Sequence, residues 1–318
     1  MKILYWNARG LANEGTKRAF CNMVRLNKPL IVCISEPFVQ ISSIPVAFWR
    51  SLGLCPFVTN NRGSINPNLW LLCHVDVKPQ TLSCTEQQIT ISCSIEGVIV
   101  VLTTVYAKTT VVGRRLLWDD LATIHSSFIN GPWFVFGDFN CVLGAHEKRG
   151  GSAPNATSCY DFQRMCTACN LLDLETKGLS YTWTNRRTNV RLDRALGNLD
   201  WIGTWNVFEC RTLTRAFSNH CPLLITFSKL TTSIRPHFRF QSMWIQHPDI
   251  LGLVSDFWSQ TCFVGCPMFV LASKLRALKS LLKNWNSSSF GDINVQVSSS
   301  KAALDLIQAE ILYHGSLR

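Results

Sequence analysis

The sequence predicts an α/β fold, a four-layer α/β sandwich of two packed mixed β-sheets flanked by helices, followed by a C-terminal helical tail. Three observations carry that expectation. Over the first 230 residues, short apolar runs of strand length alternate with amphipathic helical patterns. Some runs, such as Leu30-Ile31-Val32-Cys33-Ile34, are apolar throughout, as strands buried on both faces are. After Phe227 the texture changes to proline-punctuated, aromatic-rich segments and one strong amphipathic helix.

Taken in order, Ile3 to Trp6 reads as a strand. Thr16 is placed to cap a helix whose apolar residues Ala19, Phe20, Met23 and Val24 share a face, stopped by Pro29. Leu30 to Ile34 is the next strand. Leu69 to Val77 and Ile89 to Ile95 alternate apolar and polar residues, the pattern of a half-buried sheet. Val98 to Tyr106 is largely apolar and β-branched, and a helix from Arg114 to Ile124 turns Leu117, Leu121 and Ile124 inward. Trp133 to Phe136 is a buried strand, followed by a helix through Tyr160, Met165, Cys166 and Cys169. Further strands fall near Tyr181 to Thr184, Arg191 to Leu196, Phe208 to Leu213 and Pro222 to Phe227. In the tail, Pro236 and Pro248 break the chain before a helix from Phe269 to Trp285, striped by Leu271, Leu275, Leu278 and Leu282. Two serine triplets then flank a short segment, and a last helix is expected from Lys301 to Tyr313. The division is expected near residue 230, with one domain over 1–230 and a linker with helical segment over 231–318.

With 47% hydrophobic residues among 318, the chain can bury one large core or two modest ones, and its 16% of charged residues argues against a disordered or coiled-coil protein. The net charge is +11, and residues 1–230 carry 23 basic against 15 acidic side chains. A basic excess over a globular domain fits a polyanionic partner. No apolar stretch reaches the roughly 18 residues of a membrane span, and the apolar start is too short for a signal peptide. The expectation is a nuclear or cytoplasmic protein, not secreted and not bound to membranes, with its 14 cysteines reduced. Cys166 and Cys169 form a Cys-x-x-Cys within a helical pattern, but no second ligand pair accompanies them, which favours packing over metal.

Five segments place polar residues where a strand ends: Trp6-Asn7, Ser35-Glu36, Val105-Tyr106, Gly137-Asp138-Phe139-Asn140 and Ser218-Asn219-His220-Cys221-Pro222. A sixth, Arg191-Leu192-Asp193-Arg194, sets an acid inside a strand pattern, where charge is costly unless paired. Each alone is compatible with a solvated turn; their order is more specific. Over residues 1 to about 228 the set resembles the endonuclease/exonuclease/phosphatase family, which includes apurinic endonucleases and the endonuclease domains of LINE-type retrotransposons. Trp6-Asn7-Ala8-Arg9-Gly10-Leu11, Val105-Tyr106-Ala107-Lys108, Gly137-Asp138-Phe139-Asn140 and Tyr181-Thr182-Trp183-Thr184-Asn185 look like the plant LINE branch. The tail is similar to the stretch that precedes reverse transcriptase there: Phe238-Arg239-Phe240-Gln241, Met243-Trp244, Trp285-Asn286 and Phe290-Gly291. The implied partners are DNA and a downstream reverse transcriptase region that this chain lacks.

The resemblance implies an Mg²⁺- or Mn²⁺-dependent nuclease that nicks DNA and leaves a 3′-hydroxyl for target-primed reverse transcription. It implies that Glu36 binds the metal with Asn7 beside it, that Asp138 and Asn140 orient and deprotonate the attacking water, and that Tyr106 and His220 contact the scissile phosphate. Asp193 would hold His220. The chemistry needs these types: a hard cation bound by few carboxylates, a carboxylate base and an oriented imidazole. The family's Ser-Asp-His is Ser-Asn-His here, so Asn219 stands near the metal without the acid's charge. Arg9, Thr182, Arg186, Arg187, Arg191, Arg194 and Ser218 are the expected DNA contacts. The loop His146-Glu147-Lys148-Arg149 either approaches DNA or is a solvated charged loop. Two alternatives accompany the nuclease: a DNA-binding relic disabled by Asn219, and a small-molecule phosphatase of the same superfamily.

Overall fold

The computed structural model describes residues 1–205, 207–229, 240, 242–264, 267–291, 299 and 303. The chain divides into two compact units, Met1–Ser233 and Ile234–Arg318. In the first unit the strands and helices run β1 (Lys2–Asn7), α1 (Glu14–Asn27), β2 (Ile31–Ser35), α2 (Val46–Arg50), β3 (Leu54–Thr59), β4 (Leu69–His74), β5 (Gln80–Cys84), β6 (Gln88–Ile95), β7 (Val98–Tyr106), α3 (Val111–Phe128) and β8 (Trp133–Asp138). They continue as β9 (Lys148–Arg149), α4 (Ala156–Ala168), β10 (Leu172–Asp173), β11 (Thr176–Lys177), β12 (Trp183–Thr184), β13 (Asn189–Val190), β14 (Asp193–Gly197), α5 (Leu199–Thr204), β15 (Val207–Thr212) and β16 (Leu223–Ser228).

Two mixed sheets result. One has the order β11-β15-β16-β1-β2-β4-β3, the other β10-β14-β8-β7-β6-β5. Ile3, Tyr5, Ile31 and Cys33 from the first pack against Ile89, Ile91, Phe134 and Phe136 from the second, so the largest core lies between the sheets. The outer face of the first sheet buries Leu4, Trp6, Val32 and Trp70 against Phe20 and Val24 of α1 and Trp49 of α2. The outer face of the second buries Val105, Trp133 and Val135 against Leu117 and Leu121 of α3 and Phe162 and Met165 of α4. Helix, sheet, sheet and helix make the four layers, and the apolar runs are continuous because both faces of each central strand are covered.

Several expectations change in detail. The cap of α1 is Asn13, whose side chain accepts from the Gly15 amide, while Thr16 lies buried inside the helix. β4 and β6 are buried on nearly all positions rather than on alternate ones: β4 is Leu69-Trp70-Leu71-Leu72-Cys73 on both faces, and in β6 the buried Thr90 hydroxyl meets Thr103 of β7 at 2.9 Å. Beyond the strands the sequence pattern predicts, the structure adds the two-residue strands β9, β10, β11 and β13 and two longer ones, β3 and β5. β3 carries Pro56 at a register shift on a sheet edge, where a missing N–H is tolerated, and β5 is a polar edge strand. The described cysteines are free, and Cys169 packs between α3 and α4, where burial pushes its thiol up to about 11.

In the second unit, α6 (Ile250–Gln260) and α7 (Pro267–Phe290) gather around Trp244, Ile250 and Leu282. Trp244 donates its indole N–H to Asn286 at 2.7 Å. Leu282 is buried while Leu271 and Leu275 are exposed, so the leucine stripe is only partly covered. All of the expected helix from Lys301 to Tyr313 except Ala303 lies outside the described residues. No helix among them is long and apolar enough to cross a membrane.

Candidate active site

The six polar segments converge because the ends of β1 and β2 in one sheet meet the ends of β7 and β8 in the other, where Asn7 and Tyr5 reach Asp138. β1 pairs parallel with β2, bringing Asn7 beside Ser35, and β7 pairs parallel with β8, bringing Tyr106 beside Asp138. β14 runs antiparallel to β8 and sets Asp193 opposite Asp138. The turn before β16 brings His220 to the same end through an isolated bridge with Trp183. Gly137 has φ +143 and a Cβ there would meet the Val105 carbonyl oxygen at 2.1 Å, so only glycine lets the strand deliver Asp138 at this spacing. Arg9, Glu36 and Asn140 all adopt left-handed backbone near φ +45 to +48, a strain that clusters at the site.

Asn7, fully buried, donates from Nδ2 to Glu36 Oε1 at 2.9 Å and to Asp138 Oδ2 at 3.0 Å. Tyr106 donates its hydroxyl to the same Glu36 oxygen at 2.8 Å. Burial and then the Glu36 charge hold the Tyr106 phenol far above its usual range. Asp138 accepts the Asn140 amide at 2.9 Å, and the Asn140 side chain is fixed by the Ala107 carbonyl at 2.7 Å. His220 Nδ1 lies 2.8 Å from Asp193 Oδ2, leaving Nε2 at 3.8 Å from Asp138 Oδ2. Burial and the neighbouring Asp193 push Asp138 up to about 7, with His220 pulling the other way. Burial opposes the charge on His220, but Asp193 and Asp138 outweigh it and raise the imidazole to about 9. The neutral-pH state is therefore an imidazolium whose Nδ1–H is committed to Asp193 and whose Nε2–H faces the cleft.

Glu36, Asp138 and His220 offer ligand atoms all within 4.8 Å of one another, and among the described residues this is where such groups gather. Asn7 Oδ1 is buried without a hydrogen-bond partner beside them. An unpartnered amide oxygen next to two carboxylates is a donor set of hard oxygens, which fits a divalent cation such as Mg²⁺ or Mn²⁺.

Other expected residues take different places. Arg194 is fully buried, its guanidinium bound to Glu147 at 2.6 Å and Asp173 at 2.9 Å. Arg191 bridges the same two acids at 2.8 and 2.6 Å. Both are structural in this fold, not free for phosphate, and Glu147 is neither solvated nor available to DNA. Burial alone would push the Glu147 carboxyl up, but Arg194, the Leu143 amide and Arg191 hold it below its usual range. Thr182 is also fully buried; its hydroxyl accepts the Leu192 and Asp193 amides at 3.0 and 2.9 Å and so fixes the start of β14. It positions Asp193 rather than facing DNA. Ser218 donates to the Asn7 carbonyl at 2.7 Å and accepts the His220 amide at 3.1 Å, tying the histidine turn to β1. Arg186 and Arg187 are exposed at the tip of the β12–β13 hairpin, and β9 completes this small ribbon. Asn219, expected beside the metal, turns its amide oxygen to Trp183 Nε1 at 2.7 Å and Arg9 Nη1 at 2.8 Å, the orientation that satisfies both donors. Arg9 in turn lies 3.5 Å from Glu36. Sequence reasoning missed Tyr5, whose hydroxyl accepts the Asp138 amide at 3.0 Å and meets Ser35 Oγ at 2.8 Å, linking the two sheets under the site.

Residues 4–220 match the endonuclease/exonuclease/phosphatase family. The chain belongs to that family. Members of the endonuclease/exonuclease/phosphatase family are metal-dependent nucleases and phosphodiesterases. The endonuclease domain of TRAS1, a telomere-specific non-LTR retrotransposon, matches with TM-score 0.57 at 12% identity, covering 72% of this chain and 99% of that one. A 3′-5′ exonuclease (NExo) from Neisseria meningitidis matches with TM-score 0.56 at 18% identity, covering 72% and 100%. An AP endonuclease from Archaeoglobus fulgidus matches with TM-score 0.55 at 15% identity, covering 72% and 100%. At these identities the likeness is one of fold. No curated protein sequence matches the chain at significant similarity.

Proposed function

We propose that the chain is a divalent-metal-dependent endonuclease that nicks DNA and leaves a 3′-hydroxyl, as the nuclease of a plant LINE-type retrotransposon that primes reverse transcription at its target. The observation that carries the reading is the convergence of Glu36, Asp138 and His220, with Asn7 bonded through Nδ2 to both carboxylates and its buried Oδ1 left without a partner. Glu36 and Asn7 would hold Mg²⁺ or Mn²⁺, which when bound would neutralise phosphate oxygens and ease the build-up of charge at phosphorus. Asp138, raised towards neutrality, is suited to take a proton from a water that Asn140 helps to place. His220 presents its Nε2–H to a non-bridging oxygen while Asp193 fixes the ring, and Tyr106 adds a hydroxyl on the other side. The exposed Arg186 and Arg187, on the ribbon that also carries the His220 bridge, and the net charge of +11 support a polyanionic substrate.

Nicking of supercoiled plasmid with Mg²⁺, and with EDTA, tests this. Magnesium-dependent conversion to open circles is expected, with products extendable by a polymerase. Glu36→Ala should remove it while leaving the melting temperature nearly unchanged. Nicking by that variant at the wild-type rate would overturn the metal assignment.

A further inference from the structure

We infer that Arg9 is a resident counter-cation at the metal carboxylate, and that the residue at position 219 sets metal affinity through Arg9 rather than by ligation. The inference rests on the metal-nuclease reading and goes beyond it. Glu36 has its two oxygens in different company. Oε1 receives neutral donors from Asn7 and Tyr106, whereas Oε2 faces the Arg9 guanidinium at 3.5 Å. Arg9 is aimed there by a left-handed backbone, φ +45, and by Asn219 Oδ1, which accepts from its Nη1 at 2.8 Å. Asn219 is itself pinned, since its oxygen also accepts Trp183 Nε1 and its carbonyl accepts the Thr184 amide at 3.0 Å.

The charges decide what this arrangement does. A guanidinium beside Glu36 cancels part of the negative potential that attracts a divalent cation, so the two cations compete for one carboxylate. Asn219 is neutral and leaves the full charge of Arg9 turned on Glu36. A carboxylate at position 219 would pair with Arg9 through Nη1 and take up part of that charge. Glu36 would then be free to act on the metal. Position 219 thus influences the metal at one remove.

The test is Mn²⁺ binding to the whole protein without DNA, followed by calorimetry or electron paramagnetic resonance, with melting curves alongside. Arg9→Gln and Asn219→Asp should each tighten binding about threefold to tenfold, the scale of one partly exposed unit charge acting on a divalent ion. The double variant should bind no more than about twofold tighter than Arg9→Gln, because both changes remove the same charge from Glu36. Arg9→Lys, which keeps the charge, should stay near wild type. Unchanged or weaker binding by Arg9→Gln, with wild type binding normally, overturns the role of Arg9 alone. A full Asn219→Asp gain that persists in the Arg9→Gln background means direct ligation by position 219 and also overturns it. If wild type and all variants fail to bind Mn²⁺, the metal-nuclease reading falls together with this inference.

Discussion

His220 shows how much one side chain can owe to its neighbours. Its imidazole, 3% exposed, would lose its proton on burial, yet Asp193 at 2.8 Å and Asp138 at 3.8 Å raise it to about 9. Asp193→Asn should therefore bring the His220 titration down by at least about one unit, observable by NMR against a His220→Gln reference spectrum. A value still near 9 would mean that Asp138 alone holds the proton. Because the folded value lies above the ordinary 6.5, the stability from this charge is complete below about pH 6.5 and is lost as pH rises through about 9. The wild-type melting temperature should fall across that window, and more steeply than in Asp193→Asn. Asp193 was legible in the sequence because a lone acid in a strand pattern demands a partner. Arg194, beside it, gave the same signal but found its partners in Glu147 and Asp173, and strand periodicity does not say which face a charge will meet. Tyr5 was illegible for the opposite reason: a tyrosine within an apolar run reads as core, and its hydroxyl's bond to the Asp138 amide exists only once the two sheets are stacked.

At the scale of elements, four arginines that look alike in sequence divide by the strands that carry them. β14 points Arg194 into the layer beneath α4, where it also lies over the Phe162 ring at 5.0 Å. The β12–β13 hairpin carries Arg186 and Arg187 out to its exposed tip. Arg194→Leu leaves Glu147 buried without its strongest partner and should cost about 3–5 kcal/mol in urea unfolding, the scale for breaking one side of a buried pair. Arg186→Ala and Arg187→Ala should leave unfolding unchanged but weaken DNA binding. Each should reduce the slope of log affinity against log salt by about 0.9. An Arg194→Leu protein within about 1 kcal/mol of wild type, or salt slopes unmoved by both hairpin changes, would contradict this division. Strands β2, β7 and β8 were legible because burial on both faces makes long apolar runs. The pattern hid β3, whose Pro56 argues against a strand, and β5, whose polar residues suit an edge. Both are held by pairing with a neighbour, which local pattern does not encode.

For the whole molecule, the first unit holds every residue of the candidate site. Those residues lie between Asn7 and His220, and the three cores of that unit draw their buried members from Ile3 to Phe227. β16, the last strand, is central in its sheet, between β15 and β1, so the chain closes the first sheet before residue 230. The N-terminal amine is held there too, by the Phe227 carbonyl and near Glu96 at 3.8 Å. Among the described residues, the second unit gathers around its own cluster of Trp244, Ile250 and Leu282, with Met243, Leu253, Val254, Leu278, Trp285 and Phe290 packed against it, smaller than each of the three cores of the first unit. A chain ending at Ser233 should therefore express as a soluble protein, melt in one cooperative transition within a few degrees of the full-length nuclease transition, and nick plasmid at the full-length rate. The full-length protein should show a second, weaker and less cooperative transition from the tail, visible by calorimetry or by early proteolysis after residue 233. The exposed Leu271 and Leu275 of α7 should then be dispensable for nicking, so their replacement by Gln should change solubility and not rate. If the shortened chain aggregates and is rescued by adding residues 234–318 in trans, the tail completes the nuclease fold, and the division near residue 230 separates sequence textures without separating function.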